Sequence, residues 1–101
     1  MNIKVRANLL EKTVIIDGEE TEVYGLADFC TRPMRKGIGK HCMEAFIEMA
    51  ERDGKRGIVG FCESDSYGFY RSIGCWFHGK YEGKNLFTTF PVQSIIVKEV
   101  W

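Results

Sequence analysis

Arg35, Lys36, Gly37, Ile38, Gly39 and Lys40 follow one another in a single run, and together they describe a seat for an anion. Glycine carries no side chain, so backbone N–H groups around Gly37 and Gly39 can close on phosphate oxygens. A helix starting here adds partial positive charge at the same point, and Arg35, Lys36 and Lys40 surround it with full charges. The same residues also suit a tight turn with ordinary surface cations, and the run alone does not separate the two. Other glycine-rich phosphate loops are excluded by spacing. GxxxxGK[ST] needs a glycine where Met34 stands and a hydroxyl where His41 stands, and GxGxxG needs a third glycine at Cys42.

Four cysteines, Cys30, Cys42, Cys62 and Cys75, are widely spaced, form no CxxC pair, and sit in apolar segments. They read as reduced buried thiols of a cytoplasmic protein. Cys30, His41 and Cys42 match no zinc spacing, so no metal is expected. Further along, Phe69-Tyr70 sits on a short helical stretch, where a phenol is either a proton donor or a core aromatic.

The elements that must position these residues follow from periodicity. Ile3, Val5, Ala7 and Leu9 alternate with polar residues as in a half-buried strand, and residues 13–16 are a second β-branched run. Asp17-Gly18 is a hairpin turn signal, and the chain returns over residues 21–31. Three antiparallel strands are thus expected in the first third. From 37 to 53 the apolar residues Ile38, Cys42, Phe46, Met49 and Ala50 recur at steps of three and four, one face of a helix stopped by Gly54. Residues 58–63 form a short buried strand, so strand, helix and strand make a βαβ crossover with parallel strands. A short helix over about 66–73 ends at Gly74. Strands over 75–81 and 86–90 form a hairpin around residues 82–85, and the tail over 94–101 is strand-like and apolar.

Met34-Arg35-Lys36-Gly37-Ile38-Gly39 at a strand–helix join, followed by Ser66-Tyr67-Gly68-Phe69-Tyr70-Arg71-Ser72-Ile73-Gly74, resembles the paired motifs of the GNAT superfamily of N-acetyltransferases. In that family the first motif is [Q/R]-x-x-G-x-[G/A] and the second A-x-x-F-Y-x-x-x-G. The resemblance covers roughly residues 21–77. It implies a GNAT-like α+β sandwich: a mixed sheet with an N-terminal meander, a central helix, a short helix and C-terminal antiparallel strands, all in one domain.

The resemblance also implies a chemistry. Acetyl-CoA is the expected cosubstrate. Phe29, Cys30 and Thr31 would offer backbone groups to the pantetheine arm, and Arg35, Lys36, Gly37, Ile38, Gly39 and Lys40 would hold the diphosphate. Ser66 and Phe69 would complete the coenzyme site. A primary amine, on a small molecule or a peptide, would attack the thioester directly, and Tyr70 matches the tyrosine that protonates the leaving thiolate. Asp28 and Glu63 are the candidate bases. Met34, Glu63 and Ser66 depart from the residues most relatives carry there. The family's first strand and two helices, which wall the acceptor site, have no counterpart ahead of the meander; the resemblance then implies either that a homodimer partner or another subunit supplies that wall, or that the chain is a truncated form with little activity. The alternative is a catalytically weak or inactive acyl-CoA-binding or interaction module.

Bulk composition limits the remaining options. The 101 residues hold fourteen basic and fourteen acidic side chains, a net charge of zero, which calls for no nucleic acid. With 45% hydrophobic and 13% aromatic residues a core is assured. No apolar run approaches the roughly 20 residues of a membrane span, so no membrane partner is expected.

Overall fold

The structure, a computed structural model, describes residues 3–32 and 37–101. Two long strands come first, β1 (Lys4–Ile16) and β2 (Glu19–Arg32). Asp17 and Gly18 join them with φ of 50° and 86°, the backbone of a type I′ turn, which Asp and Gly reach at lowest cost. Asp17 also ties down the far end of the chain, since its Oδ1 accepts the Gln93 and Ser94 N–H groups at 3.2 and 2.9 Å.

The chain continues through α1 (Ile38–Arg52), β3 (Ile58–Cys62), α2 (Ser64–Ser72), β4 (Trp76–Tyr81), β5 (Lys84–Thr88) and the two-residue β6 (Ile95–Ile96). The strands form one sheet in the order β4-β5-β3-β2-β1-β6. β2 and β3 are parallel, with α1 as their crossover, and the other neighbours are antiparallel.

Alternation along the strands divides the core in two. Val14, Ile16, Val23, Val59 and Leu86 point to one face, where Phe90, Ile95 and Val97 cover them. Leu26, Ile58, Cys62 and Phe87 point to the other, under Met43 and Ala50 of α1 and Tyr70 of α2. Lys55, just past α1, is sealed to 8% side-chain exposure with its Nζ 3.0 Å from Glu11 and 3.8 Å from Glu22. Tyr24 beside it donates to Asp53 at 2.6 Å.

The α+β sandwich expected from the sequence is corrected by this architecture. Strand makes up 47% of the structure, and the six strands curl into a nearly closed, barrel-like sheet instead of a sandwich organised on a central helix. The reason lies largely in β1. A three-strand meander would break it at Leu10–Lys12, but the backbone runs through as one strand of 13 residues paired along its length with β2, of 14 residues. At the other end the tail contributes two strand residues, Ile95 and Ile96, in place of the strand expected over 94–101. The late hairpin turns on two residues, Glu82 and Gly83, both at positive φ, which leaves Lys84 and Asn85 in the ladder. Among the described residues no helix is long and apolar enough to cross a membrane.

Candidate functional site

The sheet opens at one point. β2 and β3 are paired from Tyr24↔Ile58 to Leu26↔Gly60, and there the ladder stops. Just beyond, the β1–β2 register shifts between Arg6 and Asn8, so that Asp28 and Phe29 stand opposite Ala7 alone. This is a β-bulge, and it bends the strand that carries it. Asp28 adopts φ of 55°, a conformation that non-glycine residues take up at some energetic cost and mostly for a local purpose. From Ala27 onward the side of β2 that faced β3 has no ladder partner among the described residues, so its backbone groups are open to another occupant.

The head of α1 stands next to this opening. Gly37 caps the helix at φ of 99°, without a side-chain hydrogen bond to the first turn. The first intrahelical bond runs from the His41 N–H to the Gly37 carbonyl at 2.9 Å, and the N–H groups of the first turn have no helical acceptor. Gly39 lies under the ring of Phe69, where a Cβ would come within 2.8 Å of Cε1 and Cζ. Its lack of a side chain lets α1 and α2 meet this closely. Phe69 in turn leans on Phe29 (ring centroids 6.4 Å apart) and Tyr70 (5.0 Å), and Tyr70 stacks on Phe87 at 4.1 Å.

These three segments enclose a cavity of about 580 Å³, lined by Phe29, Cys30 and Thr31 of β2, Gly37, Gly39 and Lys40 at the head of α1, and Asp65, Ser66, Phe69, Tyr70, Ser72 and Ile73 around α2. The volume is in the range of small-molecule sites. One end offers free helix N–H groups and the Lys40 ammonium, and Phe29, Phe69 and Tyr70 bring aromatic rings to the remaining wall.

Nine of the residues singled out in the sequence meet here: Phe29, Cys30, Thr31, Gly37, Gly39, Lys40, Ser66, Phe69 and Tyr70. Ile38 is not part of the lining. Arg35 and Lys36, like Met34, lie outside the described residues. Neither candidate base lines the cavity. Asp28 is exposed, its Oδ2 accepting from Asn8 Nδ2 at 3.1 Å, and Glu63 is exposed at the N-cap of α2. The carboxylate that does line it is Asp65, which sequence reasoning misses. Its place four residues before Phe69, on the same helix face, is the available signal.

Burial sets the proton affinities around the site. Tyr70 is 7% exposed, and its phenol makes no hydrogen bond to another described residue. Desolvation holds its pKa well above the ordinary tyrosine value, with Cys62 and Cys75 adding to the shift. The same burial raises Cys62, and lifts Cys75 to about 11. On β4, His78 shares a 2.8 Å hydrogen bond with Thr88 Oγ1, whose own proton goes to the Phe90 carbonyl at 2.6 Å, so His78 Nε2–H is the donor. Burial lowers its pKa and favours this neutral form.

A pH dependence follows from the thiols. An acid whose folded pKa is raised keeps its proton in the native state after the unfolded chain has lost it, so stability falls as pH rises between the two values. For Cys75 that window runs from the unfolded thiol value of about 8.5 to about 11. Urea midpoints measured at about pH 8 and about pH 10.5 should therefore drop, and Cys75→Ala should flatten the drop. An equal drop in that variant would remove Cys75 as a cause.

Among the described residues no group of three His, Cys, Asp or Glu side chains is placed to hold a metal ion. Compared with protein-family models, curated proteins and solved structures, the chain matches none of them.

Proposed function

We propose that the chain binds acetyl-CoA in the cavity between β2, α1 and α2 and transfers the acetyl group to a primary amine of a small molecule or peptide. The observation that supports this most is the convergence of Phe29–Thr31, Gly37–Lys40 and Ser66–Tyr70 on one cavity, since Ser66–Tyr70 follows the other two only after the rest of α1 and the whole of β3. In this reading the unpaired edge of β2 takes the amide groups of the pantetheine arm. The head of α1 takes the diphosphate through free N–H groups and Lys40. Phe29 and Phe69 exclude water along the arm.

The step itself forms a bond from the amine nitrogen to the acetyl carbonyl carbon and breaks the bond from that carbon to sulfur. Coenzyme A leaves as a thiolate, and the proton that the amine nitrogen gives up passes to solvent water, which returns a proton to the departed thiolate. Tyr70 supports the departure of the sulfur. Its raised pKa makes full proton transfer to a thiolate uphill, because an ordinary thiol holds its proton less tightly. Its role is therefore to donate a hydrogen bond to the developing charge. A charge-assisted bond of this kind contributes about 1.5–3 kcal/mol.

Calorimetric titration with acetyl-CoA tests the binding half, with saturable binding expected; a silent titration would sink both this reading and its weaker form. Thiol release across a panel of amines tests the chemistry. Tyr70→Phe should leave binding within about twofold and lower turnover about 10- to 100-fold. A second reading, a module that binds the coenzyme without turning it over, is favoured by one observation: Asp28 and Glu63 lie outside the cavity, leaving Asp65 as the carboxylate beside it. Binding without turnover on any amine would establish that form.

A further inference from the structure

β1 has an unpaired edge. Its ladder to β2 runs from Lys4 to Ile16, but on its other side β6 takes only Ile15 and Ile16. The tail then passes Glu11, Lys12 and Thr13, with the Lys12 Nζ 2.9 Å from Glu99 and 5.6 Å from the centre of the Trp101 ring. From Lys4 to Leu10 the outer backbone of β1 faces no strand among the described residues. Such an edge is a template for another strand. The same segment leaves Ile3 58% and Val5 47% exposed, on the face they share with Ala7 and Leu9, which pack toward the helices.

We infer that a second copy of the chain closes this edge, antiparallel, about a two-fold axis at Ala7. A two-fold axis normal to the sheet sets each residue opposite one on the same face, so the centre of symmetry fixes every pair. Centring on Val5 sets Lys4 against Arg6, and centring on Arg6 sets that residue against itself. Like charges directly opposite are destabilising. Centring on Ala7 uses the whole free segment without such a clash: Ala7 meets Ala7, Val5 meets Leu9, Lys4 meets Leu10, and Arg6 meets Asn8.

The last pair supplies charge complementarity. Asn8 already donates to the Asp28 carboxylate at 3.1 Å, so the Arg6 guanidinium of one copy arrives beside Asp28 of the other, twice per dimer. Among the described residues Arg6 has no ion pair within its own chain, and this arrangement provides one. The strained residue at the bulge thereby gains a role in assembly. One strand, β1 itself, separates the interface from the cavity, because Val5 is paired on its inner side with Thr31, a lining residue. The assembly does not depend on which ligand the cavity takes.

The register makes the test specific. In a Cys30→Ser background, which removes the exposed native thiol, Ala7→Cys should oxidise to a covalent dimer, because its Cβ faces its own copy at about 5 Å. Asn8→Cys should remain largely unlinked, since it faces Arg6. Light scattering on the unmodified chain should give twice the monomer mass. Arg6→Glu and Asp28→Arg should each raise the dimer dissociation constant about tenfold or more, and the double reversal should restore it. Circular dichroism of each variant confirms that the monomer is folded. A monomer mass at every concentration, equal cross-linking at both cysteines, or a reversal that fails to rescue overturns the inference, and a monomer that instead captures an acidic strand would do the same.

Discussion

Phe87→Ala should destabilise the protein by about 3–5 kcal/mol, as truncation of a fully enclosed aromatic does. Phe87 is 1% exposed and sits where three parts of the structure meet. Its ring stacks on Tyr70 at 4.1 Å and lies 6.5 Å from that of Phe77. It also fills the space that the absent side chain of Gly60 leaves on β3, where a Cβ would come within 2.5 Å of Cζ. Removing the ring therefore takes away burial and opens a gap that neither β3 nor α2 can readily close. A domain of this size is stable by only about 5–15 kcal/mol, so the melting temperature should fall by about 15 °C or more.

The neighbouring glycine turns this into a coupling measurement. Gly60→Ala alone should be destabilising, because the added methyl group meets a ring with nowhere to go. In a Phe87→Leu background the same change should be much less harmful, since the colliding edge of the ring is gone. A coupling of at least about 1 kcal/mol between the two sites is expected for groups in direct contact. Purely additive effects, or a Phe87→Ala protein melting within a few degrees of the wild type, would show that the ring is not the keystone of this face.

Parts of this arrangement were legible in the sequence because they are local. Apolar steps of three and four placed a helix within a residue of α1, and Asp17-Gly18 announced its turn, since few residues accept the φ it needs. The two motif segments were recognisable from residue type, and Gly37 and Gly39 of the first line one cavity with Ser66, Phe69 and Tyr70 of the second. What the sequence hid depends on pairing. Leu10-Glu11-Lys12 interrupts the alternation of β1, yet its ladder with β2 carries the backbone straight through, and two such strands tilt the molecule toward sheet. The bulge at Asp28 left no compositional trace, for Asp is common in strand-ending loops as well. Without it, Asp28 looked like a strand carboxylate aimed at substrate, when its geometry directs it to Asn8. Register of this kind is set by cross-strand partners many residues away.

The sharpest test of the site is Gly39→Ala, which should weaken acetyl-CoA binding about tenfold or more while leaving the fold nearly intact. Gly37 and Gly39 look alike in sequence, but they do different things. At Gly37 an added Cβ meets nothing within 4 Å among the described residues, and the demand is conformational, with φ at 99°. Substitution there should cost about 1–2 kcal/mol in backbone strain. At Gly39 the backbone is ordinary helix and the demand is space, with Phe69 Cε1 and Cζ 2.8 Å from the new atom. Phe69 is only partly buried and lines the cavity, so the ring has one direction in which to yield, into the volume assigned to the pantetheine arm. Stability is then largely preserved at the expense of ligand space. Phe69→Leu removes the two colliding atoms, and in that background the added penalty of Gly39→Ala should largely vanish. Wild-type affinity in Gly39→Ala, or an undiminished penalty in the Phe69→Leu background, would place the coenzyme elsewhere. The predicted loss requires the ligand to lie against Phe69, so this pair of variants locates the bound coenzyme as well as detecting it.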